Sequence, residues 1–164
     1  MERLEWYKGI LGTYLEITRG EERVGSVRWQ NLFSNKAVAE FRGKVFYLNR
    51  DIFLSRLEIS DEKTLLGRLT INLFNPRSDV VINGKRFELV IKNFWQSRWS
   101  WNFNGAEIIT FTSNEFITRD KGDIELFSAC NEEVEILILL GLVLRNQFVL
   151  VILLILILLL LVIL

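Results

Sequence analysis

Gly43-Lys44-Val45-Phe46-Tyr47-Leu48 and Gly84-Lys85-Arg86-Phe87-Glu88-Leu89 are two versions of one phrase, 41 residues apart. Each is a glycine turn followed by a strand with apolar residues at alternate positions. The match extends outward from both copies. Leu15-Glu16-Ile17-Thr18 aligns with Leu57-Glu58-Ile59-Ser60 and Val24-Gly25-Ser26-Val27 with Leu66-Gly67-Arg68-Leu69, both at a separation of 42, and Phe53 aligns with Phe94. A third, worn copy starts at Trp99-Ser100-Trp101, turns at Asn104-Gly105 and closes with Gly122-Asp123-Ile124-Glu125-Leu126. A recurring unit of this length marks a repeated supersecondary structure. Each copy has room for four strands, in the second copy 55–60, 64–74, 79–82 and 85–92. Three copies give about twelve antiparallel strands, more than an open twisted sheet usually carries, so closure into a barrel or a two-sheet sandwich is expected.

The rest of the segment between Tyr14 and Phe127 agrees. Leu69, Ile71 and Leu73 alternate with Arg68, Thr70 and Asn72, and Trp99, Trp101 and Phe103 with Arg98, Ser100 and Asn102. Such period-two patterns put one face into a core and the other toward water. Turn signals stand at Thr18-Arg19-Gly20-Glu21, Asn75-Pro76-Arg77-Ser78-Asp79, Asn83-Gly84, Asn104-Gly105 and Asp120-Lys121-Gly122-Asp123. Asn-Gly suits two-residue hairpin loops, where both central residues take positive φ.

From Asn131 the pattern changes. Asn131 is an expected N-cap, and Glu132, Glu133 and Glu135 load the first turns with negative charge that favours a helix start. Ile136 to Leu144 is apolar on every side and too short to span a bilayer, which needs roughly 20 residues. It is expected to thread a wide barrel, since about eight strands already fill their own interior and twelve do not. Residues 1–146 therefore read as one barrel domain including a central helix over 132–146. After Arg145-Asn146-Gln147 interrupts the run, 147–164 reads as a hydrophobic tail. As a helix, Phe148 to Leu164 covers about 25 Å, at the short end of the spanning range. It is expected to anchor the chain in a membrane through Phe148, Leu150, Ile152, Leu156 and Leu160; the competing reading is a second buried core helix. A continuous helix from Glu132 to Leu164 would be about 50 Å long and would protrude from a small barrel.

Composition removes many alternatives. The 164 residues carry no net formal charge, no histidine, one cysteine and one proline. Without histidine there is no Ser-His-Asp or Cys-His pair and no imidazole base. Cys130 alone provides neither a disulfide nor a usual zinc ligand set. Zero net charge argues against a nucleic-acid partner. Carboxylates such as Asp61 or Asp120 show no paired spacing suited to hydrolysis. The start of the chain lacks the apolar core of a secretory signal, and with a C-terminal apolar tail the domain is expected at a membrane, facing the cytoplasm.

Three four-strand units followed by an all-apolar helix resemble the tubby C-terminal-like superfamily, which includes the plant LURP-one-related proteins and the phospholipid scramblases. Its recurring phrase stands here as Leu57 to Ile59, Gly67-Arg68-Leu69 and Gly84-Lys85-Arg86-Phe87, and the resemblance covers roughly Leu11 to Arg145. It implies a closed twelve-stranded barrel around a hydrophobic C-terminal helix.

Lys44 and the Lys85-Arg86 pair recur at matching points of two repeats and are candidates for a rim that binds lipid headgroups, as are Trp95 and Arg98 in the tryptophan-rich segment. Indole rings and cations of this kind favour a membrane interface. The competing reading is a solvated mixed-charge exterior, with Trp99 and Trp101 packed on the central helix. The expectation is a non-enzymatic, membrane-associated barrel that binds lipid headgroups or a protein partner, without cofactor or metal. The alternatives are scramblase-like lipid transport, or a soluble barrel holding an apolar ligand with the helix buried.

Overall fold

The computed structural model describes residues 1–9, 11–51, 55–71, 77–93, 97–115 and 119–163. Among them the chain forms β1 (Glu2–Gly9), β2 (Tyr14–Arg19), β3 (Glu22–Trp29), β4 (Lys36–Phe41), β5 (Lys44–Arg50), β6 (Arg56–Ser60), β7 (Leu65–Thr70), β8 (Arg77–Ile82), β9 (Lys85–Ile91), β10 (Arg98–Phe103), β11 (Ala106–Glu115), β12 (Arg119–Leu126) and α1 (Glu132–Ile163). Each strand pairs antiparallel with its neighbours in the chain, and β1 pairs with β12 from Glu2↔Leu126 to Gly9↔Arg119. The sheet is a closed barrel, which leaves no edge strand to be protected.

Local chemistry explains the meander. Arg42-Gly43, Asn83-Gly84 and Asn104-Gly105 have φ of 48° and 80°, 52° and 75°, and 50° and 79°. Positive φ at both central residues is the type I′ hairpin turn, whose twist matches that of the strands it joins. Asp61 closes the β6–β7 hairpin differently: its carboxylate accepts from the amides of Lys63 and Thr64, both at 2.7 Å. Those bonds hold its pKa below the usual carboxylate value.

The strands β2–β5 and β6–β9 correspond one to one at separations near 42, down to a bulge at Ile17/Thr18 and another at Ile59/Ser60. Two features depart from the sequence reading. The twelfth strand is β1, which lies before the first repeat; its inward series Leu4, Trp6, Lys8 ends in a lysine and is too short to declare itself. Asp120-Lys121-Gly122-Asp123 is not a turn but the middle of β12, where Gly122 pairs with both Trp6 and Ser113. The glycine is required by close packing: a Cβ there would stand 1.6 Å from the Thr112 carbonyl oxygen.

Alternate residues along the strands point inward. Leu15 and Ile17, Phe46 and Leu48, Leu57 and Ile59, Phe87 and Leu89 are all buried. The space they enclose is filled by α1, of which every residue from Val134 to Gln147 is buried. A helix surrounded by strands needs an apolar surface on all sides, and that is what its sequence supplies. The Asn131 side chain caps it by accepting from the Val134 amide at 3.0 Å. Trp101 Nε1 donates to the Leu137 carbonyl at 2.7 Å, so a strand indole is tied directly to the helix backbone. At Gly141 the helix approaches Phe111 so closely that a Cβ would lie 2.6 Å from its ring.

The helix runs unbroken through Arg145-Asn146-Gln147, which are buried within the barrel mouth. Val149 and Leu150 are the last buried residues of α1 described, Val151 to Leu153 are partly exposed, and Leu154 to Ile163 are exposed.

Candidate functional site

The meander sorts the connections into two ends. At one end lie the tight hairpins and the start of α1; at the other lie the longer connections and the point where α1 leaves. The first is polar. The Lys44 ammonium, at the start of β5, donates to Glu135 at 3.1 Å and approaches Glu132 at 3.6 Å. That hydrogen bond and the two negative charges raise the Lys44 pKa. Lys85, at the matching point of β9, donates to Glu133 at 3.0 Å. Exposed pairs of this kind are worth about 1 kcal/mol at most, but Glu135 is almost fully buried and needs its cation.

The five headgroup candidates are therefore not brought into one patch. Lys44 and Lys85 stand together around the helix start, each already engaged by a carboxylate. Arg86 lies on the outer face of the barrel, ion-paired with Asp79, beside a polar surface hollow of about 500 Å³ that Glu88 and Asn102 also line. Arg98 is exposed at the opposite end, at the start of β10. Trp95 lies outside the described residues. Trp99 and Trp101 are buried, Trp99 stacked on Phe111 at 5.1 Å between ring centres and edge-on to Trp6 at 6.2 Å.

At the exit end the apolar interior gives way to a layer of buried charge. Arg145 of α1 lies 3.8 Å from Asp120 of β12 and over the Trp99 ring at 5.6 Å. Asp120 accepts from the Ser113 hydroxyl at 2.9 Å. Lys8 of β1 donates to the Gly9 carbonyl at 3.1 Å and stands 5.8 Å from the Trp29 ring centre. Burial lowers the Lys8 pKa and raises that of Asp120, against the opposing pull of Arg145, Ser113 and Lys8 on the latter. Asn146 and Gln147 complete the layer.

Sequence reasoning passed over Lys8 and Asp120 as site residues, although a signal was present. Lys8 continues the inward series Leu4, Trp6, and Asp120 precedes the inward series Gly122, Ile124, Leu126. A charge in phase with buried neighbours is a charge aimed inward.

The layer has a clear mechanical use. A helix of leucine, isoleucine and valine has nearly the same surface at every turn and could slide along the barrel axis. Arg145–Asp120 at one end, Lys44–Glu135 and Lys85–Glu133 at the other, and Trp101–Leu137 between them are made together at one depth. Polar contacts that select one register among apolar alternatives are the best-attested use of buried charge.

Of the five anchor candidates, Phe148, Leu150, Ile152 and Leu156 mark the passage from barrel to exterior: Phe148 and Ile152 are partly exposed, Leu150 is buried and Leu156 is exposed. Leu160, one turn further, is 59% exposed. Gaps between α1 and the strands near Gly141 and Gln147 measure about 10 Å³ each. Among the described residues no group of three or more His, Cys, Asp or Glu side chains is placed to hold a metal ion. Comparison with protein-family models, curated proteins and solved structures returns no match for this chain.

Proposed function

We propose that the protein is a non-enzymatic barrel module held at a membrane by the outer half of α1, where it binds lipid headgroups or a protein partner on the cytoplasmic side. One observation carries this reading. A single helix leaves the barrel without a break and at once presents ten consecutive exposed residues, Leu154 to Ile163, all of them leucine, isoleucine or valine. By length and composition α1 is able to cross a membrane. Exposing such a stretch to water is costly, at about 25 cal/mol for each Å² of apolar surface. A bilayer removes that cost, and helical insertion of leucine, isoleucine and valine is favourable at every position. The tubby-like resemblance supports the same reading, since it implies a helix-filled barrel of this kind. The small gaps around α1 argue for a filled interior in preference to an apolar ligand site, which typically needs several hundred Å³.

Membrane fractionation tests the proposal with two chains, one full length and one ending at Leu150, the last buried residue of α1. The full chain is expected in the membrane fraction, resisting alkaline extraction, and the shortened one in the supernatant. Recovery of both as soluble monomers overturns the anchor.

A further inference from the structure

The anchor leaves open how the barrel itself sits, and the geometry of the exit end bears on that. There is no linker between the barrel and the outer helix. Leu150 is the last buried residue of α1 described and Leu154 the first that is exposed, a separation of about one helical turn, or 5 to 6 Å. A helix that enters hydrocarbon at Leu154 therefore brings the barrel mouth within about that distance of the boundary.

The mouth is built for such a position. Leu11, in the connection from β1 to β2, is 71% exposed, and Phe33, in the connection from β3 to β4, is 62% exposed. Both connections lie at the end where α1 leaves. The hairpin turns at the opposite end, Arg19-Gly20-Glu21-Glu22, Arg42-Gly43-Lys44, Asp61-Glu62-Lys63-Thr64, Asn83-Gly84-Lys85 and Asn104-Gly105, contain no large apolar residue, and the exposed Phe127 on that side lies in the connection from β12 to α1. Leu11 and Phe33 stand beside the exit of an apolar helix, and exposed apolar residues continuous with such a helix suit contact with an apolar phase.

We propose that the exit end of the barrel is itself a membrane-embedding surface, with Leu11 and Phe33 lying in the interfacial layer of the same bilayer that takes Leu154 to Ile163. The hairpin end, with Asn104 and the paired Lys44 and Lys85, then points away from the lipid. This inference rests on the anchor reading and adds an orientation to it. Arg98 and Lys36, exposed near the mouth, stand at headgroup depth in this arrangement, whereas Lys44 and Lys85 do not reach it.

The test uses the full-length chain carrying Cys130→Ser and one added cysteine at a time: Leu11→Cys, Phe33→Cys, Leu160→Cys or Asn104→Cys. Each is labelled with an environment-sensitive fluorophore and reconstituted into phosphatidylcholine vesicles with a minor share of phosphatidylserine. Lipids bearing a spin-label quencher on the acyl chain report contact. Probes at 11, 33 and 160 are expected to be blue-shifted and quenched, and the probe at 104, roughly 20 Å away along a six-residue strand, to remain bright. Quenching at 160 with 11 and 33 behaving like 104 overturns the embedded mouth and leaves the anchor intact. No quenching at 160 overturns the anchor and this inference with it. Crosslinking of 11 or 33 to a second copy, with shielding from aqueous quenchers but none from lipid, assigns the mouth to self-association and also overturns the proposal.

Discussion

Gly141 is the one residue in the buried part of α1 without a side chain, and helix propensity alone argues against it by about 1 kcal/mol relative to alanine. Its neighbours explain it: the Phe111 ring and the Trp101 indole occupy the space a Cβ would need. Gly141→Ala is therefore expected to destabilise the protein by about 1 to 3 kcal/mol despite the gain in propensity, because a tightly packed core resists an added methyl group. Thermal denaturation of wild type and variant in the same detergent measures it, and a higher melting temperature for the variant contradicts the packing described. Asp120 makes a different prediction. Its pKa is raised in the folded protein, chiefly by burial, so the folded state holds its proton to higher pH than the unfolded state does. Its contribution is complete below the ordinary carboxylate value near 4 and declines as pH rises through the raised one, by at most about 1.4 kcal/mol per pH unit. Asp120→Asn removes that decline. Melting temperatures measured from about pH 4 to neutrality should fall more steeply for wild type than for the variant.

The strands β2 to β9 were legible because alternation and turn chemistry agree there: Leu57, Ile59 and Leu69 mark the same face that the structure buries. Where those signals conflict, reading fails for physical reasons. Asp120-Lys121-Gly122-Asp123 has the composition of a turn, yet Gly122 is there for close approach to Thr112, a constraint set by a strand elsewhere in the sequence. β1 carries only two inward apolar residues before Lys8, and nothing local announces that it closes a ring. The helix start was legible at Asn131 and its three glutamates. The partners of those glutamates were not, because Lys44 and Lys85 are about 90 and 50 residues away in the chain and meet them only when the barrel closes. The recurring lysines, attractive as a headgroup rim, are in this way spoken for by the fold.

The barrel and its helix form one cooperative object, since the strands enclose a space that only α1 fills. Removing the helix leaves a ring of twelve strands with buried-type residues facing a void, which folded proteins do not tolerate. A chain ending at Cys130 is thus expected to show no cooperative thermal transition by circular dichroism and to bind a hydrophobic dye. A sharp transition would mean that the strands can pack on one another without the helix. What the sequence conveyed at this level was the count of strands and the need for closure; what it withheld was the depth at which α1 stops. Arg145 meets Asp120 near the barrel mouth, and a charged residue next to an apolar run reads equally well as an interruption.

Closure by β1 against β12 also places an order on events in the cell. The core of this barrel is the last part of the described chain to be synthesised, while its first strand completes the ring. Throughout translation the strands emerge with nothing to surround, and their inward faces must be kept from other hydrophobic surfaces until α1 follows. The same α1 carries the exposed apolar stretch from Leu154 to Ile163. Under the anchor proposed above, delivery to the membrane and completion of the fold fall in the same interval, because both wait for α1.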